Sequence, residues 1–299
     1  MRPASLYIAG LILAGFLCAC QAAESPNLTA PKASTCLSEL PIAVQVPSGT
    51  SLIGNDRAYP EEAPQRKITF EEFNIDSTEV TNGQFRAFVK DTSYVTDAEK
   101  TQAGFNVPGG AVFTAPSPSN PSWWQFMEGA SWRHPEGPES TIIDRDFDPV
   151  VQVSLADAKA YAAWKDRRLP SDAEWEYAAR GGSDSHYVWG IELNPDGKQK
   201  ANTWQGVFPV TNSDADGYAR RAPVGCFDKN AYGIYDMIGN VWEWTDTPYS
   251  GPLATTQYII KGGSFLCAEN YCRRYRASAL QPQDADLTTN HIGFRTVSK

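Results

Sequence analysis

Helix starts are scarce in this chain of 299 residues, and that scarcity limits what it can fold into. Three stand out. Thr81-Asn82-Gly83-Gln84 is a capping box, and it sets Phe85, Phe88 and Val89 on one face. Ser154-Leu155-Ala156-Asp157 opens a second helix, with Leu155, Ala158, Ala162 and either Tyr161 or Trp164 turned inward. Ser171-Asp172-Ala173-Glu174 opens a third, which carries Trp175 and Ala178 and stops at Gly181-Gly182. Elsewhere 23 glycines and 21 prolines punctuate short strands and loops. The expectation is a single α+β domain with low regular secondary structure, whose long irregular segments need something to hold them.

The N-terminus reads as a targeting segment. Arg2 supplies the positive start, and Leu6 to Leu17 is an apolar run too short to span a bilayer as a helix. It ends in Leu17-Cys18-Ala19-Cys20, which has the form of a bacterial lipobox with Cys20 as the lipidated residue. The expected organisation is a lipoprotein signal peptide over 1–20, a Pro-containing flexible tether over 21–40 and one domain over 41–299. Such a protein is exported, held to a membrane by its lipid and faces the periplasm or cell surface of a bacterium. The net charge of −9 argues against a nucleic-acid partner. No heptad stripe calls for an obligate oligomer, so a monomer is expected.

Export changes the meaning of the cysteines. Beyond Cys20 four remain, Cys36, Cys226, Cys267 and Cys272, and they allow three connectivities. Pairing Cys36 with Cys226 would staple the N-terminal segment to the domain and leave the close pair for chemistry. That pair lies in Gly262-Gly263-Ser264-Phe265-Leu266-Cys267-Ala268-Glu269-Asn270-Tyr271-Cys272. It could instead close into a small disulfide loop. Its soft thiolates select Cu(I) or zinc. Only three histidines exist, His134, His186 and His291, without paired helical spacing. Two thiolates without histidine suit two-coordinate Cu(I) better than four-coordinate zinc. No Gly-x-Ser-x-Gly elbow supports a serine hydrolase.

Two oxygen-rich stretches invite a harder cation. Asn212-Ser213-Asp214-Ala215-Asp216-Gly217 matches the first half of a calcium-hand loop, but Pro223 occupies the position of its bidentate Glu. From spacing alone a polar turn is the stronger reading there. Asp236 to Trp244 places two carboxylates around a glycine and an amide; it either wraps a calcium or carries charges beside tryptophans.

The chain resembles the formylglycine-generating enzymes, or sulfatase-modifying factors. The resemblance rests on Trp123-Trp124, on Gly129 through Pro138, on Arg168-Leu169-Pro170-Ser171 through Tyr177, and on Ala201 through Gly206. It continues through Tyr232 to Trp244, Gly262 to Arg276 and Gly293-Phe294-Arg295. It implies an irregular C-type-lectin-like fold held by Ca²⁺. One calcium would take Asn202, Asp216 and the carbonyls of Thr203 and Tyr218. Another would take Asp236, Glu243 and the carbonyls of Gly239 and Val241.

The resemblance also implies an activity. The family uses O₂ and Cu(I) to convert the cysteine of a Cys-x-Pro-x-Arg segment in an unfolded sulfatase to Cα-formylglycine. Cys267 and Cys272 would hold the copper. Ser264 and Tyr271 would position the reactants, and Trp242 would wall the site. His291, Trp132 and Arg276 would meet the substrate. Leu280 stands where the family usually has arginine, and this supports an alternative in which the same fold oxidises a different exported substrate. A non-catalytic binding or assembly lipoprotein is the reading of a different class; retention of both thiols speaks against it.

Overall fold

Each of the three helix starts closes on itself. The Gln84 N–H donates to Thr81 Oγ1 at 3.3 Å, and the Thr81 N–H donates to Gln84 Oε1 at 2.9 Å. Ser154 with Asp157 and Ser171 with Glu174 repeat the exchange. The third helix stops at Gly181, in the left-handed conformation at φ 57°. The computed structural model describes residues 36–39, 42–251 and 256–299. The proposed signal peptide, its Cys20 and most of the tether lie outside the described residues.

In chain order the strands β1 (Ala43–Val46), β2 (Gly49–Ile53), β3 (Arg66–Phe70) and β4 (Phe73–Asp76) precede helix α1 (Asn82–Thr92). Strands β5 (Gly109–Phe113) and β6 (Trp124–Glu128) follow, then helices α2 (Leu155–Trp164) and α3 (Asp172–Arg180). The chain ends in β7 (Trp242–Pro248), β8 (Gln257–Lys261), β9 (Leu280–Asp284), β10 (Ile292–Gly293) and β11 (Val297–Ser298). Residues 181–241, which hold no strand and no α-helix, separate α3 from β7. The four-stranded sheet runs β10-β7-β8-β9, with β10 parallel to β7 and the other pairs antiparallel. Pro282 is accommodated because β9 is an edge strand. A three-stranded sheet, β1-β4-β11, and the hairpins β2-β3 and β5-β6 complete the pairing. No helix among the described residues is long and apolar enough to cross a membrane.

The largest core cluster joins α1 and α2 to the four-stranded sheet. Phe85 meets Trp132 edge-on at 5.3 Å, Tyr161 meets Phe294 at 5.3 Å, and both Cys267 and Cys272 belong to the same cluster. Of the two candidates on α2, Tyr161 is the buried one, and Trp164 is only half-buried. A second cluster packs Trp175 of α3 against Ile75, Phe73 and Val297. The sheets are tied together by Arg295, which meets Glu243 at 2.7 and 2.8 Å, both side chains fully buried. At the other end Cys36 is disulfide-bonded to Cys226, 190 residues away in sequence.

Candidate active site

The thiols are delivered by a backbone path that only glycine can follow. After β8 the chain takes φ +95° at Gly262 and +78° at Gly263. A Cβ on Gly262 would lie 3.1 Å from the Trp175 ring, and one on Gly263 would lie 3.2 Å from the Arg274 carbonyl oxygen. Ser264 follows, fully buried; its carbonyl accepts from the Cys267 N–H at 2.9 Å and its Oγ from the Leu266 N–H at 3.3 Å. The Ala268 carbonyl then accepts from the N–H groups of Tyr271 and Cys272 at 3.2 and 3.1 Å. This tight turn folds Cys272 back, so that the two free Sγ atoms face each other at 2.7 Å. Both are buried. The hydrogen bond from Cys267 holds Cys272 below the usual thiol range, whereas burial pushes Cys267 well above it. The two thiols are thus unequal, Cys272 being the more readily deprotonated of the pair.

An aromatic wall stands beside the turn. Tyr271, 52% exposed, stacks on Phe208 at 4.4 Å with the rings 13° apart. Trp123 meets both rings edge-on at 5.9 Å. Asn270, inside the thiol turn, clasps the backbone of Phe208. Its Nδ2 donates to the Phe208 carbonyl and its Oδ1 accepts from the Phe208 N–H, both at 3.2 Å. The Trp204 N–H adds a third tether by donating to the Cys267 carbonyl at 3.0 Å. Sequence reasoning named Trp123 only within a motif and missed Phe208 and Asn270. A Phe-Pro step in a polar loop was the available signal for Phe208.

Trp242 and His291 lie side by side where β10 meets β7, and the Trp242 N–H donates to the His291 carbonyl at 2.9 Å. The His291 ring packs 4.7 Å from Trp124, and its Nδ1 is 3.1 Å from Thr289 Oγ1. Burial and the Arg221 charge hold its pKa down to about 3, so the imidazole is neutral. Two expected substrate contacts are engaged within the protein itself. Trp132 is 1% exposed and packs into the Phe85 cluster, where its large apolar surface is spent on the core. Arg276 is buried and meets Glu62 at 2.6 and 2.9 Å, because a buried guanidinium requires a paired carboxylate. Trp132 thus has little surface left for a peptide, whereas Arg276, though paired, lines a cleft with Arg273.

Copper fits the thiols through donor chemistry: two buried soft sulfurs with no imidazole in the turn. The first calcium set fits through an orphan. Asn202 Nδ2 donates to the Arg220 carbonyl and to Asn240 Oδ1, leaving buried Asn202 Oδ1 without a partner. Nearby Asp216 is buried, and burial raises its pKa to about 6. In the second set Glu243 departs from expectation. Both its oxygens are taken by Arg295, and Oε2 also accepts from Trp175 Nε1 at 2.7 Å. What remains beside Asp236 is Glu79, fully buried with Oε2 unpartnered. Burial first, then the Asp236 charge, push the Glu79 carboxyl well above its usual range. No three His, Cys, Asp or Glu side chains converge in a metal-binding array among the described residues, so each expected calcium set would depend on amide and main-chain oxygens.

The domain is thus an irregular α+β fold of the C-type-lectin-like class that presents a buried thiol pair on a glycine-led turn. Residues 29–299 match the family described as the sulfatase-modifying factor enzyme 1-like domain. The formylglycine-generating enzyme of Thermomonospora curvata is 46% identical over 278 residues, covering 84% of this chain and 91% of that protein. An inactive Cα-formylglycine-generating enzyme 2 of Mus musculus is 36% identical over 284 residues, covering 91% of this chain and 90% of its own. The structure of PvdO from Pseudomonas aeruginosa superposes with a TM-score of 0.61 at 25% identity, over 86% of this chain and 94% of that one. The chain belongs to the formylglycine-generating enzyme, or sulfatase-modifying factor, family.

Proposed function

We propose that this protein is an O₂-dependent oxidase that converts the cysteine of a Cys-x-Pro-x-Arg segment in a sulfatase to Cα-formylglycine, with Cu(I) held by Cys267 and Cys272. Family membership alone leaves activity open, since one relative is named as inactive. The observation that carries the proposal is the pair of free, buried thiols facing each other at 2.7 Å. Bound Cu(I) supplies the redox chemistry toward O₂ and acidifies a coordinated client thiol.

The chain's own residues do the rest. Cys272, the more readily deprotonated of the two thiols, is suited to ligation. The Tyr271–Phe208–Trp123 wall offers flat apolar faces suited to the client's proline ring. Trp242 and neutral His291 close the floor; with Nδ1 engaged by Thr289, Nε2 is left to hydrogen-bond the client. Burial of Ser264 and both thiols keeps bulk water from the reacting sulfur. Ca²⁺ at Asn202 and Asp216, and a second ion near Asp236, would brace the irregular loops. The chain would work as an exported, lipid-anchored monomer with one catalytic domain over 41–299.

The test is aerobic turnover of a Cys-x-Pro-x-Arg peptide by Cu(I)-loaded protein, read by mass spectrometry, with Cys272→Ser as control. Thiol mass replaced by aldehyde mass, absent in the control, is expected. No conversion despite copper bound at both thiols would sink the sulfatase reading. It would favour an oxidase with another exported substrate, for which buried Leu280 at the start of β9 is the supporting observation.

A further inference from the structure

The thiol turn has a second flank that the proposed reaction does not use. A cleft of about 800 Å³ opens there, with Arg57, Arg180, His186, Tyr187, Arg273 and Arg276 in its walls. Arg273 follows Cys272 directly. Tyr187 stacks on Tyr275 at 6.3 Å, and both tyrosines share an apolar cluster with the two thiols. Thus the residues on either side of Cys272 look in different directions: Tyr271 joins the aromatic wall and Arg273 lines the cleft. A client cysteine seated at the thiols has the wall on one side and the cleft on the other. An extended chain advances about 3.3 Å per residue, so a few client residues reach into it.

The cleft is basic in an acidic protein. Its walls carry four arginines against Asp56 and Asp184, in a chain of net charge −9. Arg276 is taken by Glu62 and Arg180 by Glu176, each at 2.6 Å. The other two arginines are not so held. Arg57 is exposed and has no ion pair among the described residues. Arg273, with its side chain 56% exposed, comes only within 3.9 Å of Glu269. On the acidic side, Asp56 Oδ1 accepts from the Gln65 N–H at 2.7 Å, and Asp184 is exposed with no ion pair among the described residues. His186, in the same wall, is held below its ordinary pKa by burial and then by Arg276 and Arg273, which marks a positive local field.

We infer that this cleft is a second subsite for the client polypeptide, and that it selects carboxylate side chains flanking the reactive cysteine through Arg57 and Arg273. Guanidinium groups suit carboxylates because they can bind them bidentately. Exposed pairs are individually weak, so two together should improve affinity about three- to tenfold. The inference rests on the client being a polypeptide, as proposed above, and its test reads binding and not turnover.

The experiment uses the full chain and fluorescent peptides in which serine replaces the reactive cysteine. One peptide is the bare Ser-x-Pro-x-Arg core. Others add three glutamates, or three lysines, on the N-terminal or the C-terminal side. One glutamate peptide should bind about fivefold more tightly than the core by anisotropy. That gain should vanish in the Arg57→Glu, Arg273→Glu double variant and in about 1 M salt. Unchanged thermal unfolding of the double variant controls for folding; the single variants Arg57→Ala and Arg273→Ala, each expected to lose part of the gain, give a second reading. No gain with either glutamate peptide, an equal gain with lysine, or a gain that survives charge reversal overturns the inference. Failure of turnover with the acidic gain intact would sink the oxidase reading and leave this subsite standing.

Discussion

Arg295 shows how much one residue can hold. It is fully buried, sits between three acidic side chains, Glu79, Asp236 and Glu243, and also donates to the Asp76 and Tyr235 carbonyls. Replacing it with an apolar chain of similar length strands those carboxyls in the core. Arg295→Met should therefore cost about 3–5 kcal/mol in urea unfolding, and Glu243→Met added to it should recover part of the loss. A single-variant cost under about 1 kcal/mol would contradict this account. Asp157 makes the converse case. Burial raises its pKa from 3.8 to about 6, although it accepts from the Ser154 N–H at 2.9 Å and from Tyr94 Oη at 3.0 Å. The folded state binds this proton more tightly than the unfolded state does. Its contribution to stability is complete below about pH 4 and is lost as the pH rises through 6. The stability of Asp157→Asn relative to the parent should thus improve by on the order of 3 kcal/mol between about pH 4 and pH 8. A flat difference would show that the carboxyl titrates normally.

Among the elements, the thiol turn and the loop that carries Phe208 behave as one unit because Asn270 bonds both backbone groups of Phe208. Two neutral hydrogen bonds contribute about 1 kcal/mol each, enough to hold the aromatic wall in register with the thiols. Asn270→Ala should raise the peptide KM about tenfold while leaving Cu(I) affinity, measured by chelator competition, within about twofold. Equal losses in both would mean that Asn270 shapes the thiol turn itself. This scale was unevenly legible in the sequence. The helices were readable because a cap is a local signal: Thr81 needs only Gln84, three residues on. The thiol pair was readable because its spacing and its glycines are local too. The packing of Arg276 and Trp132 was not, since motif likeness does not say which way a side chain faces. The partner that buries Arg276, Glu62, lies 214 residues away. Glu79 was missed for the same reason: its meaning depends on Asp236 and Asn240, far along the chain.

For the whole molecule the question is what holds so much irregular chain in place. The Cys36–Cys226 bond and the buried ion pairs are part of the answer. The unpartnered Asn202 Oδ1 beside buried Asp216 points to a cation as another. Saturating Ca²⁺, at about a hundredfold over its Kd, should stabilise the fold by about 2.7 kcal/mol, or raise Tm by roughly 5–10 °C. Asn202→Ala should abolish most of that shift, and an undiminished shift would place the ion elsewhere. Finally, both sheets are finished by the last residues of the chain. β10 supplies the parallel neighbour of β7, and β11 closes the sheet on β4. A chain still being made lacks the His291 carbonyl that receives the Trp242 N–H, and lacks the Phe294 and Arg295 that fill the centre. Both sheets and the buried centre between them thus close only once residues 291–298 are in place, so the earlier strands wait on the later ones.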